Sequence, residues 1–120
     1  MNYANLIGVP YSRMHCWDLA KAFYKQVKGV ELKHYFEEMP KDRNGMCSLI
    51  YANKGDFKRV DAPKFGDIIL LRVLGVESHI AIYVDNGLIL HTSEKTGSVI
   101  DRLSRWSKCV SGYYTLEEVV

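Results

Sequence analysis

Two residues of reactive type, Cys16 and His79, occupy positions from which a fold can present a nucleophile and a base to one substrate. Cys16 lies at the start of a helical apolar pattern, and His79 opens a strand pattern much later in the chain. Backbone N–H groups and the positive dipole end at a helix start favour thiolate over thiol, which predicts a lowered pKa for a cysteine there. We therefore expect Cys16 to act as a thiolate nucleophile.

One amphipathic helix is expected to position Cys16. Its apolar stripe has the spacing i, i+3, i+4, i+7 and i+11 and contains Cys16, Leu19, Ala20, Phe23 and Val27. Ser12 is the expected N-cap, which places Cys16 near the end of the first turn. Gly29 is expected to end the helix through a left-handed C-cap.

Five strand patterns follow in the second half of the chain, after a short helix expected near residues 46–50. They cover residues 68–73, 79–84, 88–91, 98–100 and 109–114, with turn residues between them. Helices followed by a meander indicate an α+β fold, in which N-terminal helices pack on a five-stranded antiparallel sheet. The length of 120 residues fits one domain, residues 1–120, with a single core.

The strand of His79 and the next strand, which carries His91, are joined through Asp85-Asn86-Gly87. A two-residue loop places the two histidines on opposite faces of the sheet. A three-residue loop, with a type I turn followed by a left-handed Gly87, pairs Ala81 with His91 and makes the histidines diagonal neighbours on one face. In that second register, we expect His91 to orient and polarise His79, which then has a pKa near the working pH.

Composition excludes several other classes of function. Sixteen Lys and Arg residues against fourteen Asp and Glu give a formal charge of +2, with no basic cluster that would indicate a nucleic-acid partner. The cysteines at positions 16, 47 and 109 form no CxxC pair, and none has zinc-site spacing with a histidine. We expect no metal and no cofactor. Cys47 and Cys109 are expected to be buried, inert thiols.

These features together resemble the NlpC/P60 family of cysteine peptidases, over nearly the whole chain and in order. The residues that carry the resemblance are Tyr11, Cys16, Leu19, Tyr24, the entry Pro63-Lys64-Phe65-Gly66-Asp67, the run Ser78-His79-Ile80-Ala81-Ile82-Tyr83, and Leu90-His91. The resemblance implies a papain-like core and cleavage of peptidoglycan stem peptides. It also implies roles for four residues: Cys16 as the nucleophile, His79 as the general base, His91 as the residue that orients it, and Tyr11 on the substrate or oxyanion side.

The residues around the nucleophile depart from the usual family sequence. Bacterial cell-wall members usually read Asp-Cys-Ser-Gly-Leu, whereas this chain reads His15-Cys16-Trp17-Asp18-Leu19. That sequence is similar to phage tail-assembly and tail-tip members, so phage tail proteins are expected partners besides the stem peptide. His15 and Trp17 are expected beside the substrate, where Trp17 either covers it or packs into the core.

The N-terminal residues lack a basic region followed by a long apolar stretch, and no apolar run is long enough to cross a membrane. We expect no signal peptide and no membrane span, so the protein is expected to reach a cell wall inside a virion or by another route. Two other functions remain open from the sequence. One is a structural or assembly module of a phage tail with weak or no hydrolysis, and the other is a related thiol acyltransferase or amidase.

Overall fold

The computed structural model describes residues 3–31, 57–73 and 76–116 of the chain, and its centre is an antiparallel sheet. The strands are β1 (Phe57–Val60), β2 (Ile68–Val73), β3 (Val76–Tyr83), β4 (Leu88–Ser93), β5 (Gly97–Arg102) and β6 (Val110–Leu116), in the spatial order β1-β6-β2-β3-β4-β5. The predicted α+β class is confirmed, with six strands where five were expected. The additional strand is β1, which pairs with β6 at the edge of the sheet. The predicted helix near residues 46–50, and Cys47, lie outside the described residues.

Helix α1 (Cys16–Phe23) continues as a π-helical turn over Tyr24–Lys28 and ends at Gly29, whose φ of 67° is the predicted left-handed C-cap. The predicted N-cap, Ser12, is wrong. A hydrogen-bonded turn occupies residues 10–14, and His15, with an extended backbone, is the N-cap without a side-chain cap bond. Cys16 is therefore the first helical residue. No helix within the described ranges is both long and apolar enough to cross a membrane.

Two apolar layers cover the two faces of the sheet. The predicted helical stripe of α1 is buried on one face, against side chains that include Ile80, Ile82 and Leu90. A 3-10 helical segment, Leu103–Cys109, covers the opposite face, where Ala81 and Ile89 are buried. Successive residues of a strand point to opposite faces, so Ile80 lies under α1 whereas His79 and Ala81 face the 3-10 segment.

The segment that precedes α1 is attached to β5. Gly8 N–H donates to the carbonyl of Ser98 (2.7 Å), and Ser98 N–H donates to the carbonyl of Val9 (2.9 Å). The Ser98 hydroxyl accepts from Val9 N–H (2.8 Å) and donates to the carbonyl of Leu6 (2.5 Å). This attachment fixes the start of α1 relative to the strands that carry the histidines.

Candidate active site

The sulfur of Cys16 lies where the first turn of α1 meets the central strands. Cys16 is 3% exposed, and the backbone N–H of Ile80 faces its sulfur closely enough to lower the pKa of the thiol. The N–H groups of Trp17 and of Cys16 itself also face the sulfur. Because Ile80 directly follows His79, the start of the helix and the histidine strand meet at this contact.

The contact forms just beyond the end of the ladder between β3 and β4. That ladder holds two residue pairs: Ile82 with Leu90, and Tyr83 with Ile89. Val84 N–H donates to the carbonyl of Leu88 (2.9 Å) at the hairpin end. Every second residue of an antiparallel strand directs its N–H to the same neighbour, so Ile80 N–H also points towards β4. This N–H lies past the last ladder pair, and it faces the sulfur of Cys16.

Burial decides the protonation state of Cys16. The pKa of the thiol is raised to about 11, mainly by burial and to a smaller extent by the charge of Asp18. The N–H groups of Ile80, Trp17 and Cys16 oppose this rise. The expected thiolate at the helix start is therefore wrong for the protein without substrate, because removal of the sulfur from water outweighs the helix terminus.

The two histidines are in contact, as the three-residue register predicts. His79 Nε2 lies 3.1 Å from His91 Nδ1, and the rings meet edge to face at 5.3 Å between centroids. The ladder pairs fix the predicted register, but the predicted type I turn is wrong. Asp85, Asn86 and Gly87 all have positive φ (76°, 56° and 74°), and Leu88 N–H donates to the carbonyl of Asp85. A turn of type I′ character lies over Asn86-Gly87, and Asp85 is the extra residue that sets the register.

The hydrogen-bonded chain continues past His91 to a residue that our sequence analysis missed. His91 Nε2 lies 3.4 Å from Asp101 Oδ2 on β5. His91 pairs with Val99, so Asp101 is its diagonal neighbour on the same face, in the same relation that joins His79 to His91. Extension of the register across the turn at residues 94–96 is the sequence signal that identifies Asp101.

Trp106 closes the site on the side of the 3-10 segment. Its ring centroid lies 5.9 Å from that of His79 and 5.1 Å from that of His91, and its Nε1–H donates to Asp101 Oδ2 (3.1 Å). Trp106 therefore contacts all three members of the chain His79–His91–Asp101. The irregular sequence around it has no strand or helix periodicity, so no sequence signal places it here.

Both histidines are held neutral near pH 7. Burial and, to a smaller extent, the neighbouring His91 lower the pKa of His79 to about 4. Burial also lowers the pKa of His91, against the opposing effect of Asp101. The expected pKa of His79 near the working pH is therefore wrong in the absence of substrate. The site combines a thiol with neutral imidazoles.

The remaining predicted residues lie around the start of α1. The Tyr11 and His15 rings meet edge to face at 4.9 Å, and His15 Nδ1 lies 3.4 Å from an Asp18 carboxylate oxygen. Burial raises the pKa of the Tyr11 hydroxyl, and the electrostatic effect of Cys16 raises it in the same direction. Trp17 does not line the rim of a cleft, since it is 3% exposed and belongs to the core under α1.

Three further polar side chains, those of Asp67, Trp17 and Thr92, either stabilise a turn or are buried without a hydrogen-bond partner among the described residues. Asp67 accepts a hydrogen bond from Lys64 N–H (2.9 Å), which is the turn role that its position predicts. Trp17 Nε1 and Thr92 Oγ1 are buried without a hydrogen-bond partner in the described part of the chain. Among the described residues, no three His, Cys, Asp or Glu side chains converge to hold a metal ion.

Comparisons with known proteins agree with this architecture. The sequence profile described as NlpC/P60 family matches residues 6–115. The chain therefore belongs to the NlpC/P60 family. The crystal structure of the NlpC/p60 domain of the peptidoglycan hydrolase SagA is similar in fold, with a TM-score of 0.63 and 18% sequence identity. The match covers 95% of this chain and 92% of that one. No curated protein is significantly similar in sequence.

Proposed function

We propose that this protein is a cysteine peptidase that hydrolyses peptide bonds in peptidoglycan stem peptides. The observation that carries the proposal is that Cys16 lies against the backbone of the His79 strand, one residue after a histidine that contacts His91 at hydrogen-bond distance. A thiol, a neutral imidazole and a second group that orients the imidazole are the components of nucleophilic acyl transfer. In this proposal Cys16 is the nucleophile, His79 the general base and His91 the residue that orients His79.

The reaction starts from the neutral pair. As the Cys16 sulfur attacks the carbonyl carbon of the substrate amide, the thiol proton passes to His79, which ends as an imidazolium. The resulting tetrahedral oxyanion is stabilised by backbone N–H groups at the start of α1, with Tyr11 beside them. The C–N bond breaks, His79 gives its proton to the departing amine, and a thioester remains. His79 then removes a proton from water, which hydrolyses the thioester and restores the thiol.

Peptidoglycan is proposed as the substrate on two grounds. The chain belongs to the NlpC/P60 family, and SagA, whose NlpC/p60 domain has a similar fold, is a peptidoglycan hydrolase. We also propose a phage tail-associated variant, because His15 and Trp17-Asp18 flank the nucleophile where cell-wall members usually have other residues. Its partners would then include tail proteins, and it would reach the wall with the virion.

The experiment that tests the activity compares three proteins on purified sacculi. Wild type, Cys16→Ser and the matched control Cys109→Ser are incubated with the sacculi, and released peptides are identified by mass spectrometry. Wild type and Cys109→Ser are expected to release peptides with new amine ends, and Cys16→Ser is not. Release by Cys16→Ser at the wild-type rate, or no release by wild type from sacculi of several wall chemotypes, would contradict the proposal.

The burial of Cys16 favours a second candidate, a tail module of the same fold without hydrolysis. A cysteine that is 3% exposed and has a pKa of about 11 is typical of an inert core thiol. This candidate predicts that wild type releases nothing from sacculi and that Cys16 stays unmodified by iodoacetamide throughout the alkaline range.

A further inference from the structure

We propose that Asp101 is a positioning residue that fixes the tautomers of His91 and His79, so that Nδ1 of His79 carries the lone pair that accepts the proton of Cys16. This inference rests on the proposed function for its catalytic meaning. Its structural content, the location of two protons on two imidazole rings, can be measured without any substrate.

Four groups contact the carboxylate of Asp101. Oδ2 accepts from Trp106 Nε1–H (3.1 Å) and faces His91 Nε2 (3.4 Å). Oδ1 accepts from the backbone N–H of Arg102 (2.8 Å) and lies 3.4 Å from the Arg105 guanidinium. The Trp106 hydrogen bond, with the bonds from Arg102 and His91, lowers the pKa of Asp101 to about 2. The carboxylate is therefore ionised at neutral pH and can only accept hydrogen bonds.

An acceptor at Asp101 determines the proton position on His91. Because Asp101 Oδ2 cannot donate, the nitrogen that faces it, His91 Nε2, must carry the hydrogen. Burial keeps His91 neutral, so its other nitrogen, Nδ1, has no hydrogen and is an acceptor. Each neutral imidazole has one donor nitrogen and one acceptor nitrogen. A donor at Nε2 of His91 therefore requires an acceptor at its Nδ1.

The same reasoning then determines His79. His91 Nδ1 is an acceptor at 3.1 Å from His79 Nε2, so His79 Nε2 must carry the hydrogen. His79 Nδ1 is left as the basic nitrogen. In the opposite tautomer His79 Nδ1 would carry a hydrogen and could not take the thiol proton. Asp101, two hydrogen bonds away, thus selects the reactive form of the base without contact with the substrate.

The test determines which ring nitrogen of each histidine carries the hydrogen. It uses long-range ¹H–¹⁵N correlation spectra of protein that contains ¹⁵N-labelled histidine. Wild type is expected to have the Nε2–H tautomer at both His79 and His91. In Asp101→Asn, which is nearly isosteric, the amide can also donate towards His91, and we expect His91 to lose its single tautomer. The matched control is Arg105→Gln, because Arg105 is 73% exposed and contacts the other carboxylate oxygen. It is expected to leave both tautomers unchanged.

Steady-state kinetics on sacculus-derived peptides provide the second readout. Asp101→Asn is expected to lower kcat about 10²-fold with KM nearly unchanged, the effect of an incorrect tautomer rather than of weaker binding. An Nδ1–H tautomer at His91 in wild type would overturn the proposal, even if Asp101→Asn failed to fold. So would unchanged tautomers in a folded Asp101→Asn. If wild type cleaves nothing, the proposed function fails, while the spectra still decide the role of Asp101.

Discussion

Two opposing effects act on the Cys16 sulfur. Its place at the first position of α1, with the Ile80 N–H nearby, favours negative charge. Its exposure of 3% favours the neutral thiol, and a pKa of about 11 shows that burial is the larger effect. We therefore infer that the reactivity of Cys16 is set by substrate entry and by proton transfer to His79, and not by a standing thiolate.

Alkylation of Cys16 by iodoacetamide tests whether burial outweighs the helix start in setting the pKa of the thiol. We expect the rate to rise about tenfold per pH unit from pH 7 to about pH 10, because only the thiolate reacts and its fraction rises in that proportion below the pKa. The rate is measured by mass spectrometry in a Cys47→Ser, Cys109→Ser background, so that one thiol remains. A rate that is already constant between pH 6 and 8 would indicate a preformed thiolate–imidazolium pair.

Because folded His79 excludes a proton, the free energy of unfolding depends on pH. The folded pKa of His79, about 4, lies below the ordinary 6.5, so the unfolded chain takes up a proton that the folded protein excludes. The resulting stabilisation is complete above pH 6.5 and is lost as the pH falls through 4. We expect a loss of up to about 3 kcal/mol in the free energy of unfolding across this window. The lowered pKa of His91 acts in the same direction.

Urea denaturation of wild type and His79→Gln at a series of pH values between 7 and 4 measures this linkage. Glutamine does not titrate there, so the variant is expected to have a shallower pH dependence, whatever its stability at pH 7. Parallel pH profiles for the two proteins would mean that His79 does not exclude a proton on folding.

At the scale of elements, one residue of the β3–β4 hairpin determines which face His91 occupies. Asp85 is the extra residue outside the turn over Asn86-Gly87, and it has φ 76°, which is costly for a residue other than glycine. If Asp85 instead paired with Leu88, the remaining two-residue loop over Asn86-Gly87 would place the histidines on opposite faces. The register therefore depends on the left-handed backbone of Asp85, which keeps it out of the ladder, more than on its carboxylate.

Two variants separate those roles. Asp85→Gly keeps the residue count and relieves the positive φ, so we expect up to about 1 kcal/mol of added stability with the His79–His91 contact preserved. Asp85→Val disfavours the positive φ and so favours pairing of residue 85 with Leu88, which shifts the register by one residue, and we expect it to weaken that contact and the proposed activity. Urea denaturation and the sacculus assay measure both. Wild-type activity in Asp85→Val would show that the backbone of residue 85 does not set the register.

The sequence predicted the elements that have a clear period. The stripe from Cys16 to Phe23, the alternation of β3 and the left-handed Gly29 all follow from local rules, and the histidine contact followed once a loop length was chosen. The helix start was misplaced because the turn over residues 10–14 competes with helix formation, which local propensity does not reveal. The thiol pKa was predicted in the wrong direction because burial depends on the whole core. Trp106 was missed because it lies in an aperiodic segment.

At the scale of the whole molecule, the hydrogen bonds of Ser98 hold the two parts of the site together. Cys16 follows the N-terminal segment, while His79, His91 and Asp101 lie on neighbouring strands of the sheet. The connection between them runs through β5, where Ser98 is completely buried and binds Leu6 and Val9. Gly97 allows this approach, since a Cβ there would lie 2.6 Å from the carbonyl oxygen of Val9.

Ser98→Ala is expected to lower the free energy of unfolding by about 1–3 kcal/mol, because it removes the hydroxyl from two partly buried backbone groups. The control is Ser107→Ala, whose hydroxyl makes an exposed hydrogen bond to the carbonyl of Ser104 and is expected to change stability by less than about 0.5 kcal/mol. Urea denaturation measures both. Equal stability of the two variants would show that Ser98 does not join the segment to the sheet.

The short ladder between β3 and β4 also gives the protein an internal reporter. The backbone N–H proton of Ile80 faces the Cys16 sulfur and lies beyond the last pair of that ladder. Any compound that bonds covalently to Cys16 changes the surroundings of that proton, and so its amide resonance, whatever the chemistry of the compound. Inhibitors of this site can therefore be screened through a single peak, without a substrate and without a label on the inhibitor.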